Sequence, residues 1–121
     1  MDQEEKIIDP ATFNEFRAVM GDSLAEVLTK YIADTDNLME ALRKAWRNED
    51  MKGITHAAHA LKSPSHQIGA LSFKNVLATI ECHAAKGEKK PIMPMMDEAE
   101  SQCAAVKKAL ANIMCTPSCV R

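Results

Sequence analysis

His59 and Lys62 are the residues of this sequence best suited to chemistry. They are three positions apart, so on a helix they share one face. A neutral imidazole nitrogen is a nucleophile that can form a bond to phosphorus labile enough to pass the group on. A lysine one turn away can offset the incoming negative charge. Ser63 is small and Gly69 closes the segment, so the pattern predicts an exposed histidine that accepts a phosphoryl group.

Further polar residues extend this helix face in both directions. Lys52, His56 and His66 follow His59 and Lys62 at steps of three and four residues, which predicts a mildly basic strip that binds a partner. For His56 and His66 the alternative is an ordinary solvated helix face. Gln67 lies two turns beyond His59, and its amide is a supporting group that can hydrogen-bond near the imidazole.

The elements that must position this strip are helices. Good helix formers dominate the chain, and aromatic residues make up only 4% of it. Asp9 before Pro10 is typical of an N-cap with proline in the first turn, and Ser23 and Asp50 are further candidate N-caps. With glycine and proline as stop signals, these features predict four helices over about 10–20, 23–48, 51–68 and 72–86. A fifth helix is predicted to begin at Pro91 or Pro94 and to end just before Thr116 and Pro117.

Each long helix carries an apolar stripe at alternating steps of four and three residues, which is typical of bundle packing. Because the connections are short, we expect sequential helices to pack antiparallel. The sequence predicts an all-α fold, an up-and-down antiparallel four-helix bundle with a short N-terminal cap helix. One domain spans 1–121, with the bundle over about 9–114 and a flexible tail over 115–121. The inward positions are Leu24, Leu28, Tyr31, Thr35, Leu38, Leu42, Ala45, Met51, Ile54, Ala58, Leu61, Ser65, Ile68, Phe73, Val76, Leu77, Ile80, Ala84, Met96, Ala99, Cys103, Val106, Leu110 and Ile113.

Pro64 interrupts the helix that carries His59. A proline inside a helix has no N–H to donate and crowds the preceding turn. We therefore predict a kink or local break near Ser63, which frees the carbonyl of Ala60.

Composition excludes several classes of function. The net charge of −2, without a basic cluster, argues against nucleic-acid binding. No apolar run approaches the roughly 20 residues of a membrane span, and the acidic N-terminus has no signal-peptide pattern, so we expect a cytoplasmic protein. The four cysteines have neither a zinc-site spacing nor a disulfide pattern.

The segment resembles the active helix of histidine-containing phosphotransfer (HPt) domains. The family signature, His-x-Leu-Lys followed by a small residue and a later glycine, is matched by His59, Leu61, Lys62, Ser63 and Gly69. Serine stands where the family most often has glycine. The similarity covers about residues 9–113 and includes, in flanking helices, Leu38, Leu42, Ala45, Asp50, Leu77, Glu81, Ala84 and Gly87.

The resemblance implies a phosphocarrier. His59 would take a phosphoryl group from the aspartate of one receiver domain and pass it to another, on a hybrid kinase or a response regulator. Mg²⁺ would belong to the receiver, and this chain would need no cofactor or metal of its own. We expect the protein to be a monomer. We also expect no ATP-dependent kinase activity, since no glycine-rich nucleotide loop is present.

Two alternatives remain open at this stage. The first is an adaptor bundle that binds a receiver or kinase domain without phosphotransfer. The second is a metal-binding bundle built from His56, His59, His66, His83 and nearby cysteines, although no carboxylate pattern completes a di-metal site.

Overall fold

Five α-helices and one short 3₁₀ turn form the part of the chain that the structure describes. In this computed structural model the backbone is described over residues 7–120 and the side chains over residues 7–114. The helices are α1 (Pro10–Met20), α2 (Leu24–Arg47), α3 (Met51–Gln67), α4 (Leu71–Ala85) and α5 (Ile92–Val120), with the 3₁₀ turn at Gly21–Ser23.

The four long helices, α2 to α5, form an up-and-down bundle, and α1 covers one end of it. Side-chain pairs between α2 and α5 give the direction: Arg43 pairs with Glu100, and Asp36 pairs with Lys107. Seven residues forward on one helix thus correspond to seven residues backward on the other, so the two helices run antiparallel. The predicted all-α four-helix bundle with an N-terminal cap helix is confirmed.

Local capping explains where two of the helices begin. The carboxylate of Asp9 accepts hydrogen bonds from the backbone N–H of Thr12 at 3.0 Å and from its hydroxyl at 2.7 Å. Asp50 accepts a bond from the backbone N–H of Gly53 at 3.0 Å. Both caps agree with the sequence. Ser23 occupies the N-cap position of α2, as predicted, but its side chain makes no capping bond, because residues 21–23 form the 3₁₀ turn.

The apolar stripes meet in one core. Most predicted inward positions are buried, and the core also includes Met39, Ala57 and Ala109, which the stripes omitted. Five positions predicted to face inward are only partly buried, at the margins of the bundle: Leu24, Leu38, Met51, Val76 and Ile113.

Of the kink or local break predicted near Ser63, the break is absent, because α3 is a continuous helix from Met51 to Gln67 that includes Pro64. Pro64 lies in the last turn, where a missing N–H removes a single hydrogen bond. The residues on either side of the turn are held in the core: Leu61 and Ser65 are fully buried, and the Ser65 hydroxyl lies 2.7 Å from that of Tyr31 on α2. Tertiary packing therefore keeps the turn helical.

The predicted end of α5 before Thr116 and Pro117 is also wrong, since the helix continues to Val120. Pro117 again lies within the last turn, where the loss of one donor does not end a helix. The sequence also predicted a flexible tail over 115–121. The backbone of residues 115–120 is helical, whereas their side chains and all of Arg121 lie outside the described residues.

Candidate functional site

His59 lies at the middle of α3 and faces solvent. Its side chain is 70% exposed, whereas Ala58 and Leu61 on the same helix are fully buried. Because Ala58 and Leu61 occupy the face of α3 that is buried against the bundle, His59, which lies almost opposite Leu61 around the helix axis, faces outwards. The ring is therefore accessible to a large partner.

Glu81 of α4 connects His59 and Lys62. One carboxylate oxygen, Oε2, lies 2.9 Å from Nδ1 of His59, and the other, Oε1, lies 2.7 Å from Nζ of Lys62. Glu81 follows the fully buried Ile80, and its own side chain is 21% exposed. A single carboxylate, held at the seam between α3 and α4, thus bridges the histidine and the lysine.

The charge of Glu81 decides which imidazole nitrogen is available. The hydrogen bond from Lys62 lowers the pKa of the Glu81 carboxyl, and the bond to His59 lowers it further, against a raising effect of burial. The carboxylate is therefore ionised near neutral pH and can only accept hydrogen bonds. Nδ1 of His59 must then carry the proton of this bond. In the neutral ring, the lone pair consequently lies on Nε2.

Two surface grooves flank His59 along the α3–α4 seam. The first, the Lys52 groove, is lined by Met51, Lys52, Thr55, His56, His59, Glu81, Ala84, Ala85, Lys86 and Gly87. The second, the Lys74 groove, is lined by His59, Lys62, Ser63, His66, Gln67, Lys74 and Ala78. The predicted partner-binding residues are thus divided, with Lys52 and His56 on one side of His59 and His66 on the other.

The predicted supporting residues do not all reach the imidazole. Ser63 is exposed in the Lys74 groove. Gln67 lies eight residues along the helix from His59, a rise of about 12 Å, and the hydrogen bond to the imidazole is made by Glu81 instead.

Gly69 has a structural place, ten residues beyond His59. Its φ of 90° lies in the left-handed region that ends α3. Its carbonyl accepts the backbone N–H of Asp9 at 2.8 Å, and a Cβ on Gly69 would lie 2.9 Å from the Asp9 carbonyl oxygen. The glycine allows the start of α1 to dock closely against the end of α3.

Sequence reasoning did not predict Lys74 as a site residue, and it named Glu81 only as a position of similarity to the family, without a role at the site. A signal for Glu81 was present, because it follows Ile80 in the apolar stripe of α4 and must lie beside the buried face. That it faces His59, rather than α5, depends on the rotation of α4 against α3. A single sequence does not give this rotation.

Two further findings concern the described residues. Over residues 7–114, no three His, Cys, Asp or Glu side chains converge in a way that could hold a metal ion. None of the described helices combines the length and the apolar character that a membrane span requires.

Comparison with known proteins defines the class. The Hpt domain family model matches residues 26–113, which begin within α2 and include His59, Lys62 and Glu81. The crystal structure of histidine-containing phosphotransfer protein B (HptB) from Pseudomonas aeruginosa PAO1 is similar to this chain with a TM-score of 0.80. That chain is 23% identical to this one, and the match covers 84% of this chain and 88% of that chain. No curated protein sequence matches.

Fold and family model together identify a histidine phosphotransfer domain. Since the family model spans most of its length, the chain belongs to the Hpt domain family, whose members are phosphorelay proteins. The resemblance seen in the sequence is confirmed, while α1 lies outside the matched residues.

Proposed function

We propose that Nε2 of His59 accepts a phosphoryl group from the aspartyl phosphate of one receiver domain and donates it to the aspartate of a second. The observation that carries this proposal is the bond between Nδ1 of His59 and Glu81, at 2.9 Å. It fixes the proton on Nδ1 and leaves a lone pair on Nε2, on a ring that is 70% exposed.

The transfer balances without another reactant. The Nε2 lone pair forms the bond to phosphorus as the bond between phosphorus and the aspartyl oxygen breaks, and the aspartate leaves as a carboxylate. The ring keeps its proton on Nδ1 and gains positive charge. Glu81 accepts the bond from that N–H and stabilises the charge through a charge-assisted hydrogen bond. Donation to the second receiver is the same step in reverse.

Lys62 keeps the site from repelling the phosphoryl group. A lone carboxylate beside His59 would disfavour the approach of a dianionic group. Lys62 lies 2.7 Å from Glu81 and neutralises it, so the carboxylate can hold the ring at a smaller electrostatic penalty. The lysine therefore acts on the reaction mainly through Glu81.

The receiver domains provide the rest of the chemistry in this proposal. An acidic pocket and Mg²⁺ on the receiver would neutralise the transferring group, as metal ions do in phosphoryl transfer. This chain contributes a positioned nucleophile and a basic strip. We accordingly expect it to carry the phosphoryl group without ATP-dependent kinase activity, and to act as a monomer.

The test is transfer from a radiolabelled, phosphorylated receiver domain to the wild type and to His59→Gln. We expect acid-labile, alkali-stable label on the wild type alone. His83→Gln is the matched control, because His83 is a histidine of α4 that lines neither groove beside His59, and it should accept label normally. If a folded wild type takes no label from any of a broad panel of receivers, phosphotransfer is refuted and an adaptor function is favoured.

A further inference from the structure

Lys74 of α4 lies in the Lys74 groove without a counter-charge. The groove also contains His59, Lys62 and His66, and the Lys74 side chain is half-buried at the seam with α3. Among the described residues no carboxylate forms an ion pair with Lys74, in contrast to Lys62, which pairs with Glu81. The uncompensated positive charge of this groove therefore comes from Lys74 and not from the lysine next to the histidine.

The position of Lys74 is unfavourable for the isolated domain. α4 begins at Leu71 and has no acidic residue in its first turn. The N-terminal end of a helix carries partial positive charge, so a cation one turn into the helix is repelled and a carboxylate would be preferred. A half-buried lysine placed against this field, with no local partner, indicates a role in binding a negatively charged group from outside the chain.

We propose that Lys74 is a docking residue that binds a carboxylate on the receiver domain that exchanges the phosphoryl group with His59. This inference rests on the proposed function. The groove is continuous from His59 to Lys74, so a partner seated over the imidazole also covers Lys74. Charge complementarity favours an acidic side chain at that point of the partner.

The spacing along α4 defines what Lys74 does. Lys74 and Glu81 are seven residues apart on one helix, a rise of about 10 Å. A carboxylate bound at Lys74 therefore lies at the rim of the interface, away from the phosphorus. Charges at the rim of an interface affect the rate at which the partners meet and their relative orientation more than the rate of the reaction within the complex. Lys74 should lower the KM for the phosphorylated receiver and leave the maximal rate unchanged.

The experiment measures transfer from a purified, phosphorylated receiver domain at increasing receiver concentration, in low and in high salt. We expect Lys74→Glu to raise KM about tenfold in low salt with an unchanged kcat, and the effect to shrink in high salt because rim charges are screened. Lys108→Glu is the matched control. It makes the same charge change at an exposed residue of α5, which is diagonal to α3 in the bundle, and it should alter KM less than twofold.

Three outcomes would count against the inference in distinguishable ways. A Lys74→Glu variant that keeps the wild-type KM in low salt overturns the docking role alone, as does an equal rise of KM in Lys108→Glu. If the wild type accepts no label, the proposed function fails and the docking role fails with it. Lys74→Met keeps most of the buried stem, so a rise of KM in that variant, with an unchanged melting temperature, excludes misfolding as the cause.

Discussion

The backbone N–H of Asp9 donates to the carbonyl of Gly69 at 2.8 Å, and this bond joins the start of α1 to the end of α3. Asp9 is also the N-cap of α1. One residue thus begins the cap helix and attaches it to the helix that carries His59. The close approach is possible because Gly69 has no side chain.

Replacement of Gly69 by alanine tests this attachment. The added Cβ would lie 2.9 Å from the Asp9 carbonyl oxygen, on a residue with a φ of 90°, so we expect Gly69→Ala to reduce the free energy of unfolding by about 2–3 kcal/mol. Gly87→Ala is the control, because Gly87 has a φ of 73° but no atom within 4 Å of its added Cβ. Conformational strain alone predicts a loss of about 1 kcal/mol there. Equal losses in urea denaturation of the two variants would refute a contact-based role for Gly69.

Glu81 is predicted to control the tautomer of His59. In Glu81→Ala the Nδ1–H loses its acceptor, so the neutral ring is free to move its proton to Nε2 and lose the outward lone pair. We expect transfer to slow about tenfold, with nitrogen NMR reporting a larger fraction of the Nε2–H form. Glu81→Gln keeps an amide oxygen that can accept from Nδ1 and should retain more of the Nδ1–H form. An unchanged tautomer ratio in Glu81→Ala would contradict the assignment.

Removal of Lys62 should impair transfer without unfolding the bundle. In Lys62→Ala the charge of Glu81 faces the incoming phosphoryl group uncompensated, and we expect about tenfold slower transfer. Because the lysine acts through Glu81, its removal should have a smaller effect in a Glu81→Ala background. A double-mutant cycle of transfer rates measures this coupling, and additive effects would show that Lys62 acts independently of Glu81.

Acid should remove the contribution of Glu81 to stability. Its folded-state pKa is lowered from the ordinary value of 4.5 by the bonds from Lys62 and His59, so the ionised form stabilises the folded state. This contribution is fully present above pH 4.5 and is lost as the pH falls through the lowered pKa. The stability difference between the wild type and Glu81→Gln, measured from urea unfolding at several pH values, should therefore shrink on acidification.

Lys62→Ala provides the control for this pH dependence. The hydrogen bond from Lys62 is the largest cause of the lowered pKa. Without it, the folded-state pKa of the carboxyl should lie closer to its ordinary value, so the acid-induced loss of stability should be smaller in that variant and complete at a higher pH. Coincident pH profiles for the wild type and Lys62→Ala would show that the ion pair does not influence Glu81.

The features that were predictable from sequence are those with local causes. Asp9 and Asp50 cap their helices because an aspartate accepts bonds from backbone groups two or three residues ahead. The exposure of His59 follows from the burial of Leu61 two positions away on the same helix. Contacts between helices were harder: the Glu81 bridge depends on the rotation of α4, and the helix continues through Pro64 because its neighbours are buried. Gly69 was assigned to the site by its position in the motif, while its contact is with Asp9.

The buried pair of Tyr31 and Ser65 has a further consequence for the reactive histidine. Aliphatic contacts tolerate a small rotation of a helix about its own axis, whereas a hydrogen bond between two buried hydroxyl groups is directional. The two oxygens are 2.7 Å apart, and this bond fixes the rotation of α3 about its own axis from the buried side of the helix. The direction in which α3 presents His59 is thus set from the interior of the protein, by two buried side chains.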